Sequence, residues 1–208
     1  MVDAATMPAV TPVAGEIRYL ALGDSFTIGT GNQPSQSFPA RLADRWRGAG
    51  RTVTLKNLGV NGYTTDDLTA RELPEVQPFQ PTLVTLAIGA NDRVRGTSLD
   101  VYRTHIKAIV KAVLDAGVTP KQLVSLPQPD WSLSPAAASF GDPAAIGADI
   151  ASFNTTLKEE TEAVGARYID LFPLMHRQAE AKLLAKDGLH PNAQAHDEWA
   201  AELFKSLP

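Results

Sequence analysis

Arg18-Tyr19-Leu20-Ala21-Leu22-Gly23-Asp24-Ser25-Phe26 is the stretch on which the reading of this chain turns. Up to Leu22 it is a short, nearly continuous apolar run that a glycine stops, as in a strand buried on both faces. Similar runs at Val53 to Leu58, Thr82 to Ile88, Gln122 to Leu126 and Arg167 to Ile169 read as four more strands. Helical segments lie between and after them. Pro39 to Arg47 places Leu42 and Trp46 four apart, with Gly48 and Gly50 beyond, and Thr65 to Val76 is a helix disturbed at Pro74. A helix capped by Ser98 or Asp100 runs through Leu114 with Ile106, Ile109, Val110 and Val113 on one face. Ala144 to Val164 and Asn192 to Leu207 complete the set, and Pro127 to Pro143 is the longest irregular segment. Strands alternating with helices imply a parallel sheet covered on both faces. The expectation is an α/β fold: a three-layer α/β/α sandwich of flavodoxin type around a five-stranded parallel sheet.

With 208 residues, 44% of them hydrophobic, the chain suits one domain over 16–208 behind a loose leader at 1–15 rich in Ala, Thr, Pro and Val. The 19 basic residues are scattered among 23 acidic ones for a net charge of -4, so no basic stripe marks a nucleic-acid partner. No run approaches the roughly 20 apolar residues of a membrane span; Ile106 to Leu114 is interrupted by Lys107 and Lys111. The absence of cysteine excludes disulfides, thiolate metal sites and a cysteine nucleophile. A cytoplasmic location is the expectation, with export if a signal peptide has been removed. Oligomeric state is not legible.

Sites in such sheets form outside the carboxyl ends of the strands. Three predicted strands lead directly into Gly23-Asp24-Ser25-Phe26, Asn57-Leu58-Gly59 and Gly89-Ala90-Asn91-Asp92, which brings distant segments to one edge. Ser25, where a strand gives way to a helical turn, is a candidate nucleophile. In Asp187-Gly188-Leu189-His190-Pro191, a short loop can turn Asp187 back onto His190, orienting the imidazole as a base. Gly59 and Asn91 are candidate donors to a developing oxyanion, alongside the Ser25 N–H. His105, His176 and His196 read as surface residues of helical or exposed segments, and no spacing among the four histidines resembles a metal site.

These four blocks, in this order, resemble the SGNH hydrolase superfamily, often called the GDSL esterase/lipase family, from about Tyr19 to the end of the chain. The resemblance implies a Ser25-His190-Asp187 triad, an oxyanion hole of Ser25 N–H, Gly59 N–H and the Asn91 amide, and a small acyl ester as substrate with no cofactor. Asn57 and Asp92 then hold neighbouring loops. The family usually has leucine where this chain has Phe26, a change that leaves the nucleophile in place and alters the pocket beside it. Phe26, Trp131 and Phe140 are candidates to line that pocket. Arg93 and Arg95 read as solvated, with contact to an acidic substrate as the alternative.

Short-chain esters are the expectation, with carbohydrate O-deacetylase, lysophospholipase and acyl-thioesterase activities sharing the same parts. A non-catalytic module holding a small ligand at the strand ends is a second reading. A nucleotide- or flavin-binding protein of flavodoxin type is a third. Gly23 to Gly31 fits neither the dinucleotide fingerprint nor the P-loop, and the Gly-x-Ser-x-Gly elbow is absent because Thr27 stands two residues past Ser25.

Overall fold

The computed structural model describes residues 15–207; apart from Gly15, the leader expected over 1–15 lies outside them. In chain order the elements are β1 (Ile17–Gly23), α1 (Ser25–Ile28), α2 (Phe38–Gly48), β2 (Val53–Asn57), α3 (Thr65–Arg71), α4 (Val76–Phe79), β3 (Leu83–Ala87), α5 (Ala90–Val94), α6 (Leu99–Asp115), β4 (Leu123–Ser125), α7 (Pro143–Ala163), β5 (Arg167–Tyr168), α8 (Phe172–Glu180) and α9 (Ala193–Ser206). The strands form one sheet in the order β2-β1-β3-β4-β5, every neighbouring pair parallel. β1 lies inside the sheet with β2 on one side and β3 on the other, so the strand order reverses between β1 and β3, where such folds open a crevice.

Alternation along β1 divides the core. Leu20 and Leu22 pack with Leu68 of α3, Ile106 and Ile109 of α6 and Leu157 of α7. Tyr19 and Ala21 pack on the opposite face with Phe38, Leu42 and Trp46 of α2 and Trp199 and Leu203 of α9. Burying both faces explains why β1 reads as a continuous apolar run rather than an alternating one.

The helix starts follow local chemistry. Ser98, rather than Asp100, caps α6 by accepting from Val101 N, and Asn192 caps α9 by accepting from Ala195 N. Asp142 caps α7, whose first residue is Pro143. The helix expected over 65–76 ends at Arg71; a 3₁₀ turn at Leu73–Glu75 containing Pro74 separates it from α4. Helix α8 has no counterpart in the sequence reading. Within 127–143 the chain makes two 3₁₀ turns, Trp131–Leu133 and Ala137–Phe140.

Candidate active site

The strand register levels the carboxyl ends: Ala21 pairs with Asn57 and Gly23 with Ala87, so the segments after β1, β2 and β3 emerge side by side. Gly23 leaves β1 at φ 154°, and a β-carbon there would lie 2.3 Å from both Ala87 O and Thr27 Oγ1. Only glycine fits this exit. Asp24 then caps α1 through Oδ1, which accepts from Phe26 N at 3.0 Å. Ser25 opens α1, and its N–H is among those a helix leaves without an internal acceptor.

After β2, Asn57 donates from Nδ2 to Thr27 O at 3.0 Å and accepts the Gly59 N–H on Oδ1 at 3.1 Å. A β-carbon on Gly59 would come within 2.9 Å of Asp24 O and Ile28 N, so this glycine lets two backbones meet. Asn57 thus has the loop-holding place expected of it. Gly59 lies against α1 with its N–H on Asn57, set back from the residues that line the cavity.

After β3, Asn91 donates one amide N–H to Tyr63 O at 2.9 Å and keeps a second. Its neighbour Asp92 is buried and accepts from Thr65 N at 3.0 Å and from Thr65 Oγ1, which also bonds His105 Nδ1 at 2.7 Å. Desolvation raises the Asp92 carboxyl above its usual range, against the opposing pull of the Thr65 bonds and of His105. The short segment from Tyr63 to Thr65 therefore grips Asn91 and Asp92 together.

The histidine arrives on a closed loop. Leu184 and Pro191 form an antiparallel bridge, and Ala185 N donates to His190 O at 2.7 Å. Asp187 Oδ1 accepts the N–H groups of Leu189 and His190 at 2.9 and 3.0 Å, while Oδ2 lies 2.7 Å from His190 Nδ1. Desolvation alone pushes this carboxyl up, but the Leu189 bond, then those of the His190 ring and backbone, outweigh it and hold Asp187 below the usual carboxylate range. The ionised carboxylate assigns the Nδ1 position to N–H and leaves Nε2 as the acceptor. Asn32, just past α1, fastens this loop by donating from Nδ2 to Pro191 O at 2.9 Å.

Ser25, Asn91 and His190 line one cavity of about 240 Å³. Phe26, Ala90, Val94, Trp131, Phe140 and Leu189 make most of its remaining wall apolar, and Asn61 and Gly62 complete it. All three aromatic residues proposed from sequence for the pocket, Phe26, Trp131 and Phe140, are in that wall. Trp131 and Phe140 meet edge to face with centroids 5.6 Å apart. Ser25 and His190 have no hydrogen bond between them among the described residues; catalytic contacts often tighten only when substrate binds.

Two expectations about charged side chains need correction. Arg93 is not a solvated arginine: Nε donates to Asp149 Oδ2 at 3.0 Å, Nη1 donates to Phe140 O at 3.1 Å, and the guanidinium lies 5.9 Å from the Trp131 ring centre. It braces the aromatic wall from behind. Arg95 is exposed as expected and donates to Gly62 O. His196 is not on the surface but wholly buried, stacked on Phe38 and packed against Trp199, with Nδ1 accepting from Phe38 N at 3.3 Å. Desolvation, aided by the charge of His190, lowers it to about 3, so this imidazole is neutral. His105 and His176 are partly exposed, and His176 Nδ1 pairs with Asp130 Oδ2 at 2.9 Å. Among the described residues no group of three or more His, Asp or Glu is placed to hold a metal ion.

The sequence profile of the GDSL-like Lipase/Acylhydrolase family matches residues 21–198. An arylesterase of Vibrio mimicus is 25% identical over 185 residues, covering 89% of this chain and 84% of the relative. The Escherichia coli (strain K12) protein called thioesterase 1/protease 1/lysophospholipase L1 is also 25% identical, over 202 residues, covering 90% of this chain and 83% of its own length. The structure of a lipase/acylhydrolase from Enterococcus faecalis superimposes with a TM-score of 0.74 at 21% identity, covering 90% of this chain and 93% of the other, which shows a common fold. Because the matched span runs from Ala21 in β1 to Glu198 in α9, over most of the chain, the chain belongs to the GDSL-like lipase/acylhydrolase family.

Proposed function

We propose that this protein is a serine ester hydrolase that cleaves small or short-chain acyl esters through an acyl-enzyme on Ser25. The observation that carries the reading is that Ser25, His190 and Asn91 line one cavity while Asp187 Oδ2 holds His190 Nδ1 at 2.7 Å. In this mechanism Ser25 Oγ attacks the ester carbonyl as His190 Nε2 takes its proton. The oxyanion is met by the Ser25 N–H and by the second amide N–H of Asn91, while Gly59, its N–H on Asn57, is set back from the cavity and takes the role expected of it only if that bond is given up. His190 then protonates the leaving alcohol. Water repeats the cycle on the acyl group and releases the acid. Asp187 orients the ring and stabilises the imidazolium without taking the proton.

Cavity size supports a small substrate. At about 240 Å³ the space falls below the range of about 300–1,000 Å³ that drug-sized ligands occupy. Phe26, Trp131 and Phe140 contact the apolar part of the ester in this reading. The test is hydrolysis of p-nitrophenyl esters from acetyl to palmitoyl by the purified chain, paired with Ser25→Ala and with fluorophosphonate labelling of Ser25. Short esters turned over by the wild type and not by the variant are the expected result. No labelling of folded wild-type protein would turn the argument to a ligand-binding module.

A further inference from the structure

Behind the nucleophile lies a group of acids that the mechanism above does not use. Asp24, between β1 and α1, is wholly buried, and Glu72, immediately after α3, is 2% exposed. Glu72 Oε2 accepts the Gly23 N–H at 2.9 Å, across 49 residues, and Asp24 Oδ1 accepts the Phe26 N–H. Their other oxygens, Glu72 Oε1 and Asp24 Oδ2, are both buried and have no hydrogen-bond partner among the described residues. Among the described residues no Lys, Arg or His forms an ion pair with Asp24, Glu72 or Asp92. A carboxylate shut away from water with no cation beside it is strongly disfavoured, so such a group takes up a proton instead.

Both orphan oxygens belong to carboxyls that hold the same short backbone stretch, Glu72 at Gly23 N–H and Asp24 at Phe26 N–H. A protonated carboxyl has one O–H to donate, and an unpartnered carboxyl oxygen can accept it. We propose that Glu72 is a positioning residue for the Ser25 chemistry: held as a neutral acid, it accepts the Gly23 N–H on Oε2 and donates from Oε1 to Asp24 Oδ2, directly or across one buried water. That proton fixes the two residues preceding the nucleophile. The inference rests on the reading of Ser25 given above, and it explains why an acid stands at a buried position where a cation or an apolar side chain would leave Gly23 N–H or Asp24 unpaired.

The surroundings support the protonated form. Burial pushes Glu72 up to about 9, with the Gly23 bond opposing and the charge of Asp24 adding to the rise. Burial likewise pushes Asp24 up to about 8, with the Phe26 bond opposing and the charge of Asp92 adding. The other titratable groups facing the pair are Asp92 on α5, itself raised by burial, and Tyr102 on α6, whose hydroxyl donates to Ile88 O at 2.8 Å. His105 on α6 reaches Asp92 only through Thr65. In the unfolded chain both carboxyls are ionised above about pH 4.5. The folded state therefore holds protons that the unfolded state has lost, and stability falls as pH rises from there through about 8 to 9.

The test uses the full chain as wild type, Glu72→Gln and Glu72→Leu, with two measurements: Tm between pH 5.5 and 9.5, and the rate of Ser25 labelling by a fluorophosphonate at pH 7 and pH 10. Glutamine copies the neutral acid, with an acceptor for Gly23 and a donor for Asp24, and cannot ionise. The expected result is that Glu72→Gln loses less Tm than wild type toward alkaline pH. At pH 10, where a group of pKa about 9 is only about one-tenth protonated, wild-type labelling falls about tenfold relative to Glu72→Gln. At pH 7, Glu72→Leu labels about tenfold or more slowly than wild type and Glu72→Gln restores most of that loss. Parallel Tm slopes and parallel labelling profiles for wild type and Glu72→Gln overturn the proposal, as does a Glu72→Leu protein that labels as fast as Glu72→Gln. If Glu72→Leu does not fold, the comparison of wild type with Glu72→Gln decides alone. Folded wild type that takes no label at either pH would instead refute the hydrolase reading, and the Tm slopes would still decide whether Glu72 is a buried neutral acid.

Discussion

The Phe26 ring packs on the imidazole of His190, with centroids 5.3 Å apart and planes at 52°, so the residue after the proposed nucleophile is also part of the seat of the proposed base. A leucine at this position would fill less of that space. Phe26→Ala removes the support, and misplacement of a catalytic group by an ångström can cost about a hundredfold. Turnover of a short-chain ester is expected to fall by about ten- to a hundredfold, with Phe26→Leu losing less. Steady-state kinetics of the two variants decides this; unchanged turnover in Phe26→Ala would show that His190 is held by its own loop alone.

Asn91 is expected to act on the transition state. Among the described residues one amide N–H is bound to Tyr63 O and the other has no partner, so Asn91→Ala removes the proposed oxyanion donor from a preformed position. The expected loss is on the order of a hundred- to a thousandfold in kcat, with KM changed far less. A variant with near wild-type kcat would take Asn91 out of this role.

Asp187 and His190 are expected to differ in weight. Asp187 bonds the His190 ring at Nδ1 and receives two backbone N–H bonds of its own loop, whereas His190 is the proposed carrier of the proton. Asp187→Ala is expected to lower kcat/KM, but by less than His190→Ala. An equal or greater loss would mean that orientation of the ring outweighs proton transfer.

His196 predicts acid sensitivity. Its folded-state value is lowered to about 3, against an unfolded value near 6.5. The unfolded chain takes up a proton that the folded chain does not, so stability is whole above about pH 6.5 and is lost as pH falls from there toward 3. In His196→Asn, Oδ1 replaces Nδ1 as an acceptor for Phe38 N and the titration is gone. Its Tm is expected to be lower than wild type at pH 7.5, from lost packing, but to fall less between pH 7 and pH 5. Parallel losses in the two proteins would assign acid unfolding to other groups.

Arg93 predicts selectivity. It ties Phe140 O to Asp149 and sits beside Trp131, so Arg93→Ala frees the aromatic wall of the cavity. The expected outcome is a p-nitrophenyl ester profile shifted toward longer acyl chains, with acetate hydrolysis reduced by about tenfold or less. An unshifted profile would show that the wall is held without Arg93.

The fold and the catalytic candidates were legible because their signals are local. A continuous apolar run ending in glycine marks β1, and Asp187 lies in the same short loop as His190. Partners far apart in sequence were not legible. Arg93 reads as a surface arginine until Asp149, 56 residues away, is brought beside it, and nothing local in the sequence joins Glu72 to Gly23, 49 residues before it. His196 did carry a signal: with Trp199, Ala200 and Leu203 it completes an i, i+3, i+4, i+7 stripe on α9, the pattern of a core-facing helix. Helix α8 also carried a signal, because Pro173 stands in its first turn, where proline is favoured.

The bond from Asn32 to Pro191 spans 159 residues and joins the segment after Ser25 to the one that carries His190. The serine segment is synthesised before the histidine loop, so a nascent chain carries Ser25 without His190 beside it until the intervening residues and that loop have emerged. Hydrolysis would begin only once the two segments have met, which makes activity a sensitive report of completed folding.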